Sequence, residues 1–415
     1  MARTFLKDFP SRQDLLDWYS INGSNLVHEV NGHFHTPYSF SAFRDMQQVL
    51  EMSSREKVYV LGINDFFTMA GYEEFHDLCQ DYRLFPLFNI EFMGLMREEQ
   101  KAGNRINDPD NPGRIYLSGK GLDYPVSLEG SSLRKLENLR TETQNQAKAM
   151  VNLAAEHLAS LDPELSLNYG EVLETYTRGM VRERHIARAI RDLVYRKYPT
   201  EAAEKEFLER LFSGKPVQSA ISNHAAIEGE IRSNLLKSGG KAFVKEDPKA
   251  FLELDEVVRI INDAGGIPCY PVLLDDKKGN YTEFETDMEK LCRDLKELNI
   301  YALELIPVRN DLGHLREFVH FFNDRGFVIT FGTEHNTPEL IPMKIAARGN
   351  EDLDEELKRI NFEGACVFAA HQYLRANGEE GFIERNGRTR HEDKDEFIEL
   401  GNAVIEYYLL AEKEW

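Results

Sequence analysis

The sequence predicts an α/β fold, a mostly parallel sheet or barrel carrying a helical insertion. Two observations predict it. Short β-branched and aromatic runs alternate with stretches of helical periodicity near both ends of the chain, the rhythm of repeated βα units. That rhythm breaks between about Leu128 and Asp255, where helical stretches follow one another with little strand propensity. At 415 residues, one large barrel with an insertion uses up the chain.

The candidate strands are Leu26–His35, Lys57–Asn64, Phe85–Phe92, Arg114–Ser118, Gly266–Leu273, Ile300–Ile306 and Phe327–Phe331. Apolar spacing at three and four residues predicts helices over Phe43–Met52, Gly71–Tyr82, Glu285–Leu298, Leu312–Arg325 and Asp393–Leu410. In the insertion the predicted helices are Leu133–Leu161, Gly170–Tyr198, Thr200–Phe212 and Gln218–Ser238. The turn-forming runs Ser213-Gly-Lys-Pro216 and Ser238-Gly-Gly240 punctuate them. The chain therefore divides into a βα unit over 1–128 and 255–415 and a helical insertion over 129–254, expected to lie across the barrel mouth.

Composition excludes several classes. No run reaches the ~18–20 apolar residues a membrane span requires, so no membrane partner is expected. The first residues lack the apolar core of a secretory signal. The four cysteines (Cys79, Cys269, Cys292, Cys366) show no CxxC spacing, so neither a zinc ribbon nor a disulfide framework is implied; a reducing cytoplasm is expected. A net charge of −21 repels phosphate backbones, which argues against a nucleic acid partner.

The chemistry begins at Asn31-Gly-His-Phe-His-Thr-Pro-Tyr-Ser39. Side chains two apart on a strand share a face, so His33 and His35 project together while Phe34 turns to the opposite layer. Pro37 ends the strand. Functional groups of βα folds gather where strands end. Asp65 follows the second candidate strand, Glu91 the third, and Glu334-His335-Asn336 the last. Imidazoles and carboxylates together suit Zn, Mn or Fe better than Ca. Each residue alone has a duller account: Asp65 as a helix cap, Glu91 as a loop carboxylate.

In order along the chain these segments resemble the polymerase and histidinol phosphatase (PHP) family. Its His-x-His-Thr-x-x-Ser is similar to His33-Phe-His35-Thr36-Pro-Tyr-Ser39. Its Gly-Ile-x-Asp-His and following Gly-x-x-x-Phe resemble Gly62-Ile-Asn-Asp65-Phe66 and Gly71-Tyr-Glu-Glu-Phe75. Glu91 matches the Glu closing its third strand. Gly265-Gly-Ile-Pro268-Cys-Tyr270-Pro271 and Gly332-Thr-Glu334-His335-Asn336 resemble its later motifs. The resemblance implies a distorted (βα)7 TIM-like barrel and metal-dependent hydrolysis.

The chain also departs from the family. Phe66 and Tyr270 stand where the family has histidines, Arg114-Ile-Tyr116-Leu-Ser118 offers none near the fourth strand, and the late Asp-x-His reads Glu334-His335-Asn336. Against a family cluster of up to three metals, the survivors His33, His35, Glu91 and Glu334 imply one divalent metal, with complete metal loss as the rival. Whether Glu334, His335 or Asn336 is the late ligand stays open. Asp65 is the expected base and His335 the expected base or acid, with Tyr270 orienting substrate through its hydroxyl.

Arg309 follows the Ile300–Ile306 strand, where it would meet substrate, and Glu304 near that strand's end is a candidate partner behind a ligand histidine. Arg178, Arg182 and His185 share one face of the predicted Gly170–Tyr198 helix. Their sharp reading is an anion grip over the barrel mouth; a solvated face laced with Glu171, Glu174 and Glu183 is the more ordinary account. His371, within an apolar helix, reads as structural. The expected function is a PHP-type hydrolase of a small phosphorylated or otherwise anionic substrate. The alternatives are a degenerate PHP protein that binds without catalysis and an amidohydrolase-like or sugar-acid enzyme, since an early His-x-His is shared with those barrels.

Overall fold

A computed structural model describes residues 4–24, 26–275 and 279–411. Its centre is a barrel-like sheet in which β1 (Glu29–Phe34), β2 (Val58–Phe66), β3 (Phe85–Leu95), β4 (Arg114–Lys120), β6 (Ile267–Pro271), β7 (Ala302–Leu305) and β8 (Val328–Phe331) neighbour one another in that order. A two-residue strand, β5 (Leu252–Glu253), pairs with the end of β3. The ring is brought round by a parallel bridge between Phe34 and Glu334. Thr333 N and Glu334 N both donate to His33 O at 2.9 Å, and His35 N donates to Glu334 O at 2.7 Å. The fold is therefore α/β with a TIM-like barrel, as the sequence predicts.

All seven barrel strands overlap the predicted runs, because those runs are buried on both faces and dense in Val, Ile, Leu and Phe. β4 is the exception to parallel order, running antiparallel to both β3 and β6. The connection from β3 carries the short helix Arg97–Ala102 and folds back on itself as a wide hairpin loop, closed at its base by Met96 N donating to Gly113 O at 2.8 Å. The long helix Glu355–Ala376 packs on β8 and on Lys394–Leu410. A Cβ on Gly364 would lie 2.0 Å from Ile329 O, so glycine lets that helix approach the barrel.

The first core cluster unites the barrel with its covering helices, and a second unites residues between Ala147 and Ala242. The helix Gly130–Leu161 joins them: Leu136 and Leu139 pack into the first, Met150, Val151 and Leu158 into the second. Of the other predicted insertion helices, Thr200–Phe212 is found as Glu201–Leu211 and Gln218–Ser238 as the shorter His224–Ile231 continued by Arg232–Leu236, but Gly170–Tyr198 is not one helix. It divides into Tyr169–Tyr176 and Glu183–Lys197. Thr177 Oγ1 bonds back to Leu173 O at 2.8 Å and takes Gly179 N at 3.1 Å, while Gly179 sits at φ +111°. A hydroxyl competing for backbone and a left-handed glycine end the first helix there. Arg178, Arg182 and His185 therefore do not form one helical face. The four cysteines are buried free thiols, and no helix of the described residues is long and apolar enough to cross a membrane.

Candidate metal centre

β1 delivers His33 and, just past its end, His35 to one side, while Phe34 is fully buried among Phe43 and Phe75 on the other. Glu91 reaches the same point from β3. The three ligand atoms lie within 4.8 Å of one another. His33 Nε2 is 3.2 Å from His35 Nε2, and Glu91 Oε2 is 3.1 Å from His35 Nε2 and 4.0 Å from His33 Nε2. Gly332 makes room for this, since a Cβ there would lie 2.3 Å from the His33 Cβ.

The groups behind the imidazoles set their tautomers. His33 Nδ1 lies 2.9 Å from Glu304 Oε2. A carboxylate can only accept, so Nδ1 carries the proton and Nε2 keeps its lone pair. Ser39 Oγ donates to Asp65 Oδ1 at 2.6 Å and lies 3.2 Å from His35 Nδ1. Its one hydrogen being used, it accepts from Nδ1–H, leaving His35 Nε2 a lone pair as well. These tautomers are assigned from the network. Burial lowers the His35 pKa to about 4 despite nearby Asp65, so the ring is neutral and able to ligate at neutral pH.

Two lone pairs thus face each other 3.2 Å apart beside Glu91 Oε2, which is buried without a hydrogen-bond partner among the described residues. Burial, the largest influence, raises the Glu91 carboxyl pKa, with His33 opposing and Glu334 and Glu304 adding to it. Asn64 Nδ2, 3.0 Å from His33 Nε2, is the other nearby polar atom. Three converging acceptors with one orphaned carboxylate oxygen could hold a cation, which would relieve both the repulsion and the missing partner. The 3.1 and 3.2 Å edges match the roughly 3.0–3.4 Å ligand separations implied by metal bonds of ~2.1 Å.

Glu334 lines the same cavity but is not in the three-residue cluster. Both its carboxylate oxygens are taken by Arg309, Oε1 at 2.8 Å. Burial would raise its pKa, yet Arg309, His33 and His35 hold it below the usual range. Glu334 and His335 both adopt left-handed backbone, at φ +61° and +51°, which costs non-glycine residues about 1–2 kcal/mol each. The bonds to His33 O and from His35 N hold that turn in place.

The other expected roles fall out differently. Asp65 is buried behind His35, its Oδ1 accepting from Thr36 N at 2.8 Å and Ser39 Oγ, and its Oδ2 from Thr36 Oγ1. It does not line the cavity, and its bonds to Thr36 and Ser39 pin the histidine loop. His335, expected as base or acid, also lies off the cavity. Its Nδ1 contacts Thr333 Oγ1 at 2.6 Å, its Nε2 contacts Ile341 O at 2.9 Å, and its ring stacks on Phe43. Asn336 lines the cavity in its stead. Tyr270 is wholly buried with its hydroxyl donating to Glu285 at 2.8 Å, so it orients a core carboxylate and no substrate. His371 is structural, bonded to Gly265 O and Phe382 N.

A cavity of about 480 Å³ opens over His33 and Glu91, lined from the barrel by Phe66, Tyr116 and Arg309 and from the insertion by Arg182, Arg184 and Arg232. Such a volume suits a small ligand. Phe66 lies between the neutral His35 ring, stacked on it at 4.9 Å, and the Arg182 guanidinium, 4.5 Å from its ring centroid. Arg182 Nη1 is buried without a hydrogen-bond partner among the described residues, and burial lowers the pKa of this guanidinium. Arg184, its pKa lowered to about 10 chiefly by burial, is 5.7 Å from the Phe40 ring. Arg232 and Lys237 are paired with Glu183. Arg178 is exposed and does not line the cavity.

Sequence reasoning missed Arg184, Arg232 and Lys237, whose convergence depends on packing between insertion elements. It also missed Lys120, which β4 alternation could have revealed. Tyr116, Ser118 and Lys120 are spaced by two, so they share a strand face.

No protein-family model matches the chain, and no curated protein matches it. Among solved structures, a candidate metal-dependent phosphoesterase from Bifidobacterium adolescentis is similar over 80% of this chain and 94% of its own, with a TM-score of 0.52 and 14% identity. An amidohydrolase from Chromobacterium violaceum, solved with sulfate and no metal, matches over 77% of this chain and 93% of its own, with a TM-score of 0.48 and 14% identity. At such identity the first likeness speaks for the barrel fold that presents the centre.

Proposed function

We propose that this chain is a metal-dependent hydrolase of the PHP type acting on a small anionic substrate, with a phosphate monoester as the leading class. The observation that carries this reading is the pairing of two unmet needs in one cavity: Glu91 Oε2 beside two imidazole lone pairs, and Arg182 Nη1, both buried without a hydrogen-bond partner among the described residues. His33, His35 and Glu91 would hold one divalent transition metal, Zn, Mn or Fe, which supplies polarisation of a substrate oxygen and a bound water of lowered pKa. Arg182 and Arg184 would bind the anion, the former held flat by Phe66. The helical insertion would cover the barrel mouth, exclude water and select the substrate. A cytoplasmic setting fits the free thiols.

The test is phosphate release from p-nitrophenyl phosphate and a panel of sugar and nucleoside monophosphates, by metal-depleted protein and by protein reloaded with Zn, Mn or Fe. The expected result is chelator-sensitive turnover that Glu91→Gln abolishes. Turnover of N-acyl substrates alone would move the assignment to amide hydrolysis. One observation favours a second reading, a protein that binds without catalysis: Asp65 and His335 are both tied into structural hydrogen bonds. Tight phosphate binding without turnover under any metal would select it.

A further inference from the structure

Lys120 is 0% exposed, on the inward face of β4. A buried ammonium is tolerated only when its three N–H groups find acceptors. Lys120 Nζ has three: Gly32 O of β1 at 3.2 Å, Asn64 Oδ1 of β2 at 3.3 Å, and the Glu304 carboxylate of β7. Glu304 also accepts from Ser118 Oγ and bonds His33 Nδ1. Burial alone would raise the Glu304 pKa, but Lys120 and His33 outweigh it and hold the group well below the usual range. Three oxygens from three strands, one of them a carboxylate, therefore converge on one point directly behind the His33 ring, and a side-chain cation fills it.

We propose that the Lys120 ammonium is a resident cation of the barrel: it occupies an oxygen-lined position that would otherwise accept a second divalent ion, and through Glu304 it orients His33 for the first. This inference rests on the reading that His33, His35 and Glu91 hold a metal. It explains why a centre of this kind would be mononuclear on grounds other than ligands lost at Phe66 and Tyr270. A second divalent ion would have to displace an ammonium already neutralised by the only carboxylate within reach of that position among the described residues. Lys120 and Glu304 are positioning residues, acting on the centre through His33.

The experiment counts metal in full-length protein loaded with Mn or Zn and freed of excess by gel filtration. Metal affinity by calorimetry and the His33 tautomer by 15N NMR of the metal-free protein complete it. Wild type should hold one equivalent and show the Nδ1–H tautomer. Lys120→Met, which leaves Glu304, Asn64 Oδ1 and Gly32 O without their cation, should hold two. Glu304→Gln keeps the shape and an acceptor for Lys120. It should retain one equivalent, bind it about 10- to 100-fold more weakly, and lose the fixed tautomer, changes that a merely structural role would not produce. Two equivalents in wild type, or one in a cooperatively melting Lys120→Met, would overturn the proposal while leaving the metal centre standing. No metal in wild type would remove the centre itself and the proposal with it. Should Lys120→Met not fold, Glu304→Gln decides: unchanged affinity and tautomer overturn the proposal.

Discussion

Replacing Arg182 with methionine should change the stability of the empty protein little and cripple its binding of an anion. The guanidinium lies 4.5 Å over Phe66 with its Nη1 buried and without a hydrogen-bond partner among the described residues. Methionine keeps the packing of the stem on the ring and removes the charge. The loss of the cation–π contact costs about 0.5–2 kcal/mol, whereas relieving a buried unsatisfied donor returns about 1–3 kcal/mol. Without ligand, stability should therefore change by between about −1 and +2.5 kcal/mol. With an anion in the cavity the balance is unfavourable, because truncating one partner of a buried charge pair costs about 2–5 kcal/mol, a loss of roughly 30- to several-thousand-fold in affinity. Thermal melts and calorimetric titration with inorganic phosphate read the two halves separately. Arg182→Lys should recover affinity only in part, since an ammonium lacks the planar fork. A variant destabilised by more than ~2 kcal/mol that binds phosphate as wild type does would show Arg182 to be structural.

Three other outcomes follow from the same geometry. Burial raises the Glu91 carboxyl pKa in the metal-free protein, so metal and proton compete for this carboxylate. Zn or Mn affinity should climb with pH, with proton release visible as a dependence on buffer ionisation enthalpy, and its absence in wild type would contradict the protonated state. Glu285, pushed up to about 7 by burial, favours the folded state below the ordinary Glu range and loses that contribution as pH rises toward 7. Glu285→Gln should flatten this dependence, worth on the order of 3 kcal/mol, in denaturant melts from pH 4 to 8. Asp65→Asn should lower stability by about 1–3 kcal/mol by weakening the bonds to Thr36 and Ser39. The pH–rate profile of any activity should keep its shape; loss of its acidic limb would restore Asp65 as the base.

The strands and the two histidines were legible in the sequence because they depend on local rules. Period-two spacing sends His33 and His35 one way and Phe34 the other whatever surrounds them, and strands buried on both faces read as apolar runs. Glu304, placed near a strand end, could likewise be anticipated behind a ligand histidine. The antiparallel course of β4 was not legible, since it follows from the β3–β4 connection closing on itself through Met96 N and Gly113 O. Nor was the break at Thr177–Gly179, where a hydroxyl and a left-handed glycine override a periodicity that runs on through them.

The fates of the polar residues after each strand were decided by tertiary structure alone. Asp65, His335 and Tyr270 carry the right chemistry at the right places along the chain. A carboxylate or imidazole becomes available only if nothing closer satisfies it, and Thr36 with Ser39, Thr333 with Ile341 O, and Glu285 satisfy these three first. Glu91 Oε2 and Arg182 Nη1 are left without such partners among the described residues, where β3 and the insertion line one cavity. Sequence names the groups that could do chemistry. Competition for hydrogen bonds in three dimensions selects the ones still free to do it.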